Sequence, residues 1–238
     1  TGVKKIFGDK DLEAELAGKG FRFSSANSIN IGRLVPQIVY YVYAYAKLLE
    51  AGEIDKGEKI NVVVPTGNFG NILAAYFAKR MGLPVKTLVC ASNDNKVLYD
   101  FLTTGIYDRK REFILTNSPS MDILISSNLE RLIYVIAGED SDRTAGLMDA
   151  LKQCGKYEIS DDMHRKLKNI TGGYATENQT AEEIKRVYEK TGYVIDTHTA
   201  VASYVCRQTC GNEEKCIIAS TASPYKFVKS VMTAIDGS

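Results

Sequence analysis

Residues 60–76 read INVVVPTGNFGNILAAY, and this stretch decides the fold. The apolar, β-branched run at its start predicts a short buried strand. A helical pattern follows Asn71 and ends before Gly82, a residue type typical of the position just after a helix. A second strand-like run occupies residues 85–91. A strand, a helix and a strand within about 30 residues form a βαβ unit, which predicts a parallel sheet.

The loop between the first strand and its helix carries two glycines, Gly67 and Gly70. Backbone N–H groups at a helix N-terminus are unpaired and favour an anion. Thr66, Asn68 and Asn71 add side-chain hydrogen-bonding groups. The loop lacks the Gly-Lys-Ser/Thr of a P-loop and the glycine spacing of a dinucleotide fingerprint. We therefore predict a site for a small phosphate group, with a purely structural turn as the alternative.

A second polar segment, Ser220-Thr221, follows the last predicted strand at 216–219. Ligands of open parallel sheets bind outside the carboxyl ends of the strands. We therefore expect this segment to face the same crevice as the glycine loop. A threonine after a strand is also a common turn former, and this remains the alternative reading.

Helical patterns account for most of the remaining chain. Capping-box patterns at Ser127/Glu130 and Thr180/Glu183 each predict a helix start. The polar composition of residues 138–192 predicts a mostly helical insertion, and residues 1–137 with 193–238 are predicted to form one large α/β domain. The other predicted helices span 9–16, 31–50, 97–104 and 198–207, with a last one from about residue 225.

Composition excludes several classes of protein. The 238 residues include 30 basic and 29 acidic side chains, a balance that predicts neither nucleic-acid nor membrane binding. No signal peptide or membrane-spanning run is recognisable, and we expect a cytoplasmic protein. The five cysteines show no paired C-x-x-C spacing, so no metal site is predicted, although Cys206 and Cys210 share a helix face.

Four ordered segments together resemble the motifs of threonine synthase, and the likeness spans most of the chain. It is weakest between about residues 138 and 192. The four segments are SANSIN at 25–30, PTGNFGN at 65–71, SPSMDI at 118–123 and STASPYKF at 220–227.

The resemblance implies a fold-type II pyridoxal-phosphate (PLP) enzyme. Its α/β architecture is a three-layer, open, mostly parallel sheet flanked by helices, similar to the tryptophan synthase β subunit. It implies a carbon–oxygen lyase of threonine biosynthesis that converts O-phospho-L-homoserine and water into L-threonine and phosphate. It places Thr221 against the cofactor's pyridine nitrogen. It assigns the cofactor phosphate to Gly67, Asn68, Phe69, Gly70 and Asn71.

Other features of the resemblance concern the substrate and catalysis. Ser28, Asn30 and Arg33 match part of a substrate-phosphate site, although a polar helix entry would give the same residues. Ser223 stands where the family often has histidine. No lysine before residue 27 matches the family's Schiff-base lysine motif, so that lysine is expected in an N-terminal region upstream. No catalytic residue is therefore assigned, and this chain alone is predicted to be inactive.

Three alternatives remain at this point. Another enzyme of the same fold, such as a serine/threonine dehydratase or a cysteine synthase, would share the glycine loop. A non-catalytic phosphate-ligand module would need no lysine, and a structural α/β domain would need no ligand. The oligomeric state is not predicted, because the tyrosine-rich run at 40–45 fits a core, an interface or a domain contact equally well.

Overall fold

The computed structural model describes residues 6–24, 30–211 and 213–237. Four strands form a parallel sheet in the order β5-β2-β1-β6, and two short strands, β3 and β4, form a separate antiparallel pair. The strands are β1 (Ile60–Pro65), β2 (Val85–Ser92), β3 (Ile106–Asp108), β4 (Lys156–Glu158), β5 (Ile170–Tyr174) and β6 (Cys216–Ile218).

α-Helices surround the sheet, and three short 3₁₀ turns adjoin them in the described part of the chain. The helices are α1 (Lys10–Gly18), α2 (Ile31–Leu34), α3 (Ile38–Glu50), α4 (Gly70–Arg80), α5 (Val97–Thr104), α6 (Leu129–Ile136), α7 (Ser141–Cys154), α8 (Asp161–Lys166), α9 (Glu177–Thr191), α10 (Thr197–Thr209) and α11 (Val228–Asp236). The 3₁₀ turns are Val35–Gln37, Pro119–Met121 and Pro224–Phe227.

The alternating side chains of β1 explain why helices cover both faces of the sheet. Val62 and Val64 are fully buried in the larger core, which they share with α3, α4 and α5. Val63 points to the opposite face and packs with Val201 and Val205 of α10. Every residue of β1 is buried, as expected for a strand covered on both sides. The predicted α/β fold with a parallel sheet flanked by helices is confirmed.

Most predicted elements occur within two or three residues of their expected positions, but one helix start is wrong. The sequence predicts a capping box at Thr180/Glu183, whereas α9 begins at Glu177, with Thr176 as its N-cap. Thr176 and Gln179 form the capping box, and the same Thr-x-x-Glu/Gln pattern occurs one turn earlier. The earlier start adds a turn of backbone hydrogen bonds. It leaves Glu183 on the buried face of the helix.

Two further helices differ from the sequence prediction. The helix expected over 31–50 is divided by a 3₁₀ turn at Val35–Gln37, where Pro36 has no N–H to donate. The predicted capping box at Ser127/Glu130 is not formed: α6 has Asn128 at its N-cap, and the Asn128 side chain makes no capping hydrogen bond to the helix. Ser127 instead contacts the side chain of Asn68 in the glycine loop, at 3.4 Å.

The stretch 138–192 is largely helical, as the sequence predicts, but it also contributes a strand to the main sheet. β5 pairs with β2 in parallel from Leu88↔Ile170 to Ser92↔Tyr174. Its two glycines and exposed threonine lack the apolar run that marks β1, so the sequence shows no strand there. The central sheet therefore draws on this stretch, and the predicted division of the chain into domains stays a prediction.

In the part of the chain that the structure describes, we find no helix both long enough and apolar enough to cross a membrane.

Candidate functional site

A cleft of about 790 Å³ lies at the carboxyl ends of β1 and β6. It brings together the glycine loop and the Ser220-Thr221 segment, as expected from the parallel sheet. Arg33, which lies on α2, also lines this cleft. The residues predicted to bind cofactor are all among its lining: Gly67, Asn68, Phe69, Gly70, Asn71 and Thr221.

The two other predicted substrate residues are placed differently. Asn30 is the N-cap of α2, and its side-chain oxygen accepts a hydrogen bond from the Gly32 N–H at 2.9 Å. The cleft lining in the described chain does not include it. Ser28 lies outside the described residues.

The backbone of the glycine loop turns sharply into α4 at Phe69. This residue is the N-cap and has a left-handed conformation with φ of 62°, which is uncommon for a residue with a side chain. Its ring is buried, which anchors the turn. No side chain of the described residues caps the helix start, so its first N–H groups face the cleft available for an anion.

Gly67 is required by the close approach of a neighbouring loop. A β-carbon at this position would lie only 2.4 Å from the backbone oxygen of Ser120. The glycine therefore serves packing between two loops of the cleft wall, because any side chain would force them apart.

Two residues that follow the Ser120 loop, Ser126 and Asn128, donate hydrogen bonds to carbonyl groups of the glycine loop. The Ser126 hydroxyl donates to the Gly67 carbonyl at 2.8 Å. The side-chain amide of Asn128 donates to the Asn68 carbonyl at 3.0 Å, and its backbone N–H donates to the same oxygen at 3.1 Å. These bonds occupy carbonyl groups of the loop, so its N–H groups are the ones left to meet a ligand.

Tyr41 on α3 orients the side chain of Asn71. Its hydroxyl donates a short hydrogen bond to the Asn71 Oδ1 atom. Burial raises the pKa of Tyr41 above its ordinary value, so the hydroxyl is protonated and acts as the donor. With Oδ1 bound in this way, the amide nitrogen of Asn71 is the end available to donate to an anion.

A polar network holds the SPSMDI segment, of which Ser120 and Met121 line the cleft. Asp122 accepts hydrogen bonds from the side chains of Asn93, Asn95 and Thr116, at 2.7–3.0 Å. The network holds the loop that presents the Ser120 backbone above Gly67.

His198 forms another part of the cleft wall, at the start of α10. Its Nε2 atom accepts a hydrogen bond from the Ser120 N–H at 3.2 Å. Since Nε2 is the acceptor, the proton of a neutral ring is on Nδ1, which lies 3.2 Å from the carboxylate of Asp196. The ring is 2% exposed and packs against Phe227 at 4.9 Å between ring centroids.

Asp196 connects the histidine to the strand-end segment. It caps α10 through the N–H groups of His198 and Thr199, and the Thr199 hydroxyl also bonds its carboxylate. Thr199 is in turn 3.1 Å from the Ser220 hydroxyl. Burial raises the pKa of Asp196, but the hydrogen bonds from His198 and Thr199 outweigh burial and leave the pKa below its ordinary value.

Sequence reasoning missed three contributors to this site: Tyr41, His198 and the Ser120 backbone. Tyr41 lies in the tyrosine-rich run at 40–45, and nothing local indicates that its hydroxyl reaches α4. For His198, the preceding Asp196 was an available signal, because Asp is a preferred N-cap and aligns the first turn of a helix. The role of Ser120 depends on a backbone atom, which no residue type reveals.

No protein-family model matches the chain. Human threonine synthase-like 1 is 42% identical to it over 238 residues, which cover 99% of this chain and 32% of the human protein. Saccharomyces cerevisiae threonine synthase is 37% identical over 253 residues, covering 99% of this chain and 48% of the yeast protein. This chain is homologous to the threonine synthases. The resemblance of the four motifs is thereby confirmed.

A solved structure supports the same relationship. The crystal structure of PLP-bound threonine synthase from Brucella melitensis matches this threonine synthase homologue with a TM-score of 0.88 and 40% identity. The match covers 98% of this chain and 48% of the Brucella chain. This chain therefore spans 32–48% of the length of the relatives cited here.

Proposed function

We propose that this chain supplies the phosphate-binding side of a PLP-dependent threonine synthase. In this proposal the whole protein converts O-phospho-L-homoserine and water into L-threonine and phosphate. The observation that carries the proposal is the cleft itself, since the glycine loop, Arg33 and Thr221 all line it.

The residues present fit a cofactor phosphate. An uncapped helix N-terminus and the Asn71 amide supply donors without a competing carboxylate in the cleft lining of the described chain. Gly67 keeps the loop in close contact with the Ser120 backbone. Residues 67–71 would hold the phosphate through backbone N–H groups and amide side chains.

Bound PLP would supply an electron sink for carbanion chemistry at the substrate. The chain's own contribution is position and charge. Thr221, which is exposed at the cleft, would offer a neutral hydroxyl to the pyridine nitrogen. A hydroxyl stabilises a protonated ring less than a carboxylate would, and so moderates the sink. Ser223 is exposed two residues further on, where a histidine would otherwise be available for proton transfer.

Arg33 is the residue of this chain that we assign to the substrate phosphate. Its guanidinium can bind phosphate through two parallel hydrogen bonds. It lines the cleft from α2, and the glycine loop that leads into α4 lines the same cleft. Asn30 caps the same helix and so fixes the start of the helix that carries Arg33. A role for Ser28 stays a prediction.

The lining of the cleft contains no lysine among the described residues. We therefore propose that the lysine that binds the cofactor covalently comes from another part of the protein, and that this chain alone has no turnover. Borohydride reduction of the chain with PLP, followed by peptide mass mapping, tests this. No single lysine should be labelled in stoichiometric amount. Specific labelling of one lysine would contradict the proposal and identify that lysine as the catalyst.

Phosphate recognition is tested separately by comparing PLP with pyridoxal, which lacks the phosphate. The chain should bind PLP and bind pyridoxal far more weakly, and Asn71→Ala should reduce PLP affinity. Tyr43→Phe, on the exposed side of α3, is the control and should bind as the parent does. Equal affinity for the two compounds would refute the phosphate site.

The rival enzyme activities of the same fold differ in substrate. Turnover of O-phospho-L-homoserine against L-serine by the intact protein separates a threonine synthase from a dehydratase. A protein that binds PLP but turns over neither compound would be the non-catalytic phosphate-ligand module.

A further inference from the structure

Three cysteines come together at the end of the sheet opposite the cleft. Cys206 and Cys210 lie one turn apart at the end of α10, and Cys216 is the first residue of β6. Their sulfur atoms all lie within 4.8 Å of one another, and each residue is partly exposed. We call these three residues the thiol cluster. The sequence predicts no metal site here, because the five cysteines show no paired C-x-x-C spacing.

The geometry of the thiol cluster suits a metal ion. Thiolates bind Zn²⁺ at about 2.3 Å, so two sulfurs on one tetrahedral ion lie about 3.8 Å apart. Sulfurs already within 4.8 Å reach that separation by small side-chain rotations. Partial exposure gives an ion a path to the site.

One atom of a buried polar side chain beside the cluster also lacks a hydrogen-bond partner in the described chain. Asn61 is 2% exposed and pairs with Cys216 in the register of β1 and β6. Its Nδ2 atom is 3.9 Å from the Cys216 sulfur, while its Oδ1 atom has no hydrogen-bond partner within the described ranges. Such groups are rare because burying them is costly. A water on the fourth position of a three-sulfur ion would give this oxygen a donor.

We propose that Cys206, Cys210 and Cys216 form a binding site for one thiophilic d¹⁰ metal ion such as Zn²⁺. Among the described residues, three thiols and no histidine or carboxylate make up this group, and such a soft ligand set favours these ions over Mg²⁺ or Ca²⁺. Binding releases the thiol protons and links the end of α10 to the start of β6. The other ends of these two elements carry His198 and the Ser220-Thr221 segment, so the ion acts as a structural link behind the cleft.

This inference does not rest on the proposed function, and its test needs no activity. The reduced chain is titrated anaerobically with Co²⁺ while the sulfur-to-cobalt charge-transfer absorption is recorded, and Zn²⁺ is then added as competitor. One Co²⁺ per chain should bind and be displaced by Zn²⁺. Bound Zn²⁺ should protect three thiols from a thiol reagent, while the exposed Cys154 stays reactive.

Cys210→Ser is the primary variant because Cys210 lies just after the last turn of α10, where the change least affects packing. It should lose the charge-transfer absorption and weaken binding at least tenfold. Cys154→Ser is the matched control and should bind as the parent does. Zn²⁺ should raise the melting temperature of the parent and of Cys154→Ser, but not of Cys210→Ser.

Two results would overturn the inference. Undiminished Co²⁺ binding by Cys210→Ser, with far-ultraviolet circular dichroism showing the native fold, would place the ion elsewhere. A fully reduced parent chain that binds neither Co²⁺ nor Zn²⁺ would exclude the site. If that chain, treated with a small-molecule disulfide as oxidant, formed a disulfide between two cluster thiols, the cluster would be a redox pair instead of a metal site.

Discussion

Replacing Gly67 with alanine tests whether the two loops of the cleft wall pack as rigid bodies. The added β-carbon would lie 2.4 Å from the Ser120 oxygen. Real β-carbons essentially never approach another heavy atom closer than 3.0 Å, so the two atoms must move apart by about 0.6 Å. The obstacle is backbone, so no side-chain rotation relieves it. The Ser120 loop is also held by His198 and by the Asp122 network, and it resists the shift.

The expected cost follows from overpacking, which destabilises by about 1–3 kcal/mol. Alanine also restricts the unfolded chain, which offsets roughly 0.4–1 kcal/mol of this. A net loss of about 1–2 kcal/mol lowers the melting temperature of a chain this size by roughly 2–8 °C. Differential scanning calorimetry measures the shift, and PLP titration measures the accompanying loss of affinity.

Gly146→Ala is the matched control. Gly146 lies within α7, and a β-carbon there would meet no atom within 4 Å. Alanine favours a helix over glycine by about 0.5–1 kcal/mol, so this variant should be more stable than the parent. A Gly67→Ala chain as stable as the parent, beside a stabilised Gly146→Ala chain, would refute the rigid packing of the two loops.

Three further predictions concern buried polar groups. Tyr41→Phe should cost about 1 kcal/mol of unfolding free energy and weaken PLP binding, since Asn71 loses its donor, whereas Tyr43→Phe should change neither. Asp196→Asn should destabilise by about 1–3 kcal/mol at pH 7. Because the pKa of Asp196 is lowered in the folded chain, its stabilisation is present above about pH 4 and lost as the pH falls further, so parent and variant stabilities should converge in acid denaturation curves. Glu183→Gln should lower the free energy of unfolding by about 1–3 kcal/mol, because this fully buried carboxylate binds two arginines. Urea unfolding measures the loss, and an unchanged midpoint would show that water can replace the carboxylate as the partner of the arginines.

Local sequence was sufficient where a signal depends on near neighbours. The β-branched run of β1, the helix after Asn71 and the turn at Gly82 were all predicted, because periodicity and backbone preferences act over a few residues. The same reasoning failed at α9, where two capping boxes one turn apart compete for one helix start. It also missed β5, whose glycines pack against α5 and α10 and so depend on their neighbours in the fold.

The sequence by itself determined the fold class, the position of the glycine loop and the relationship to threonine synthases. The first two follow from residue patterns along a single stretch of chain, and the third follows from four short segments in a fixed order. Only the tertiary structure decided that Tyr41 orients Asn71, that His198 holds the Ser120 backbone, and that Cys216 joins the helix pair of cysteines. These contacts join residues far apart in the chain, and their geometry depends on how the sheet and helices pack, which no local pattern encodes.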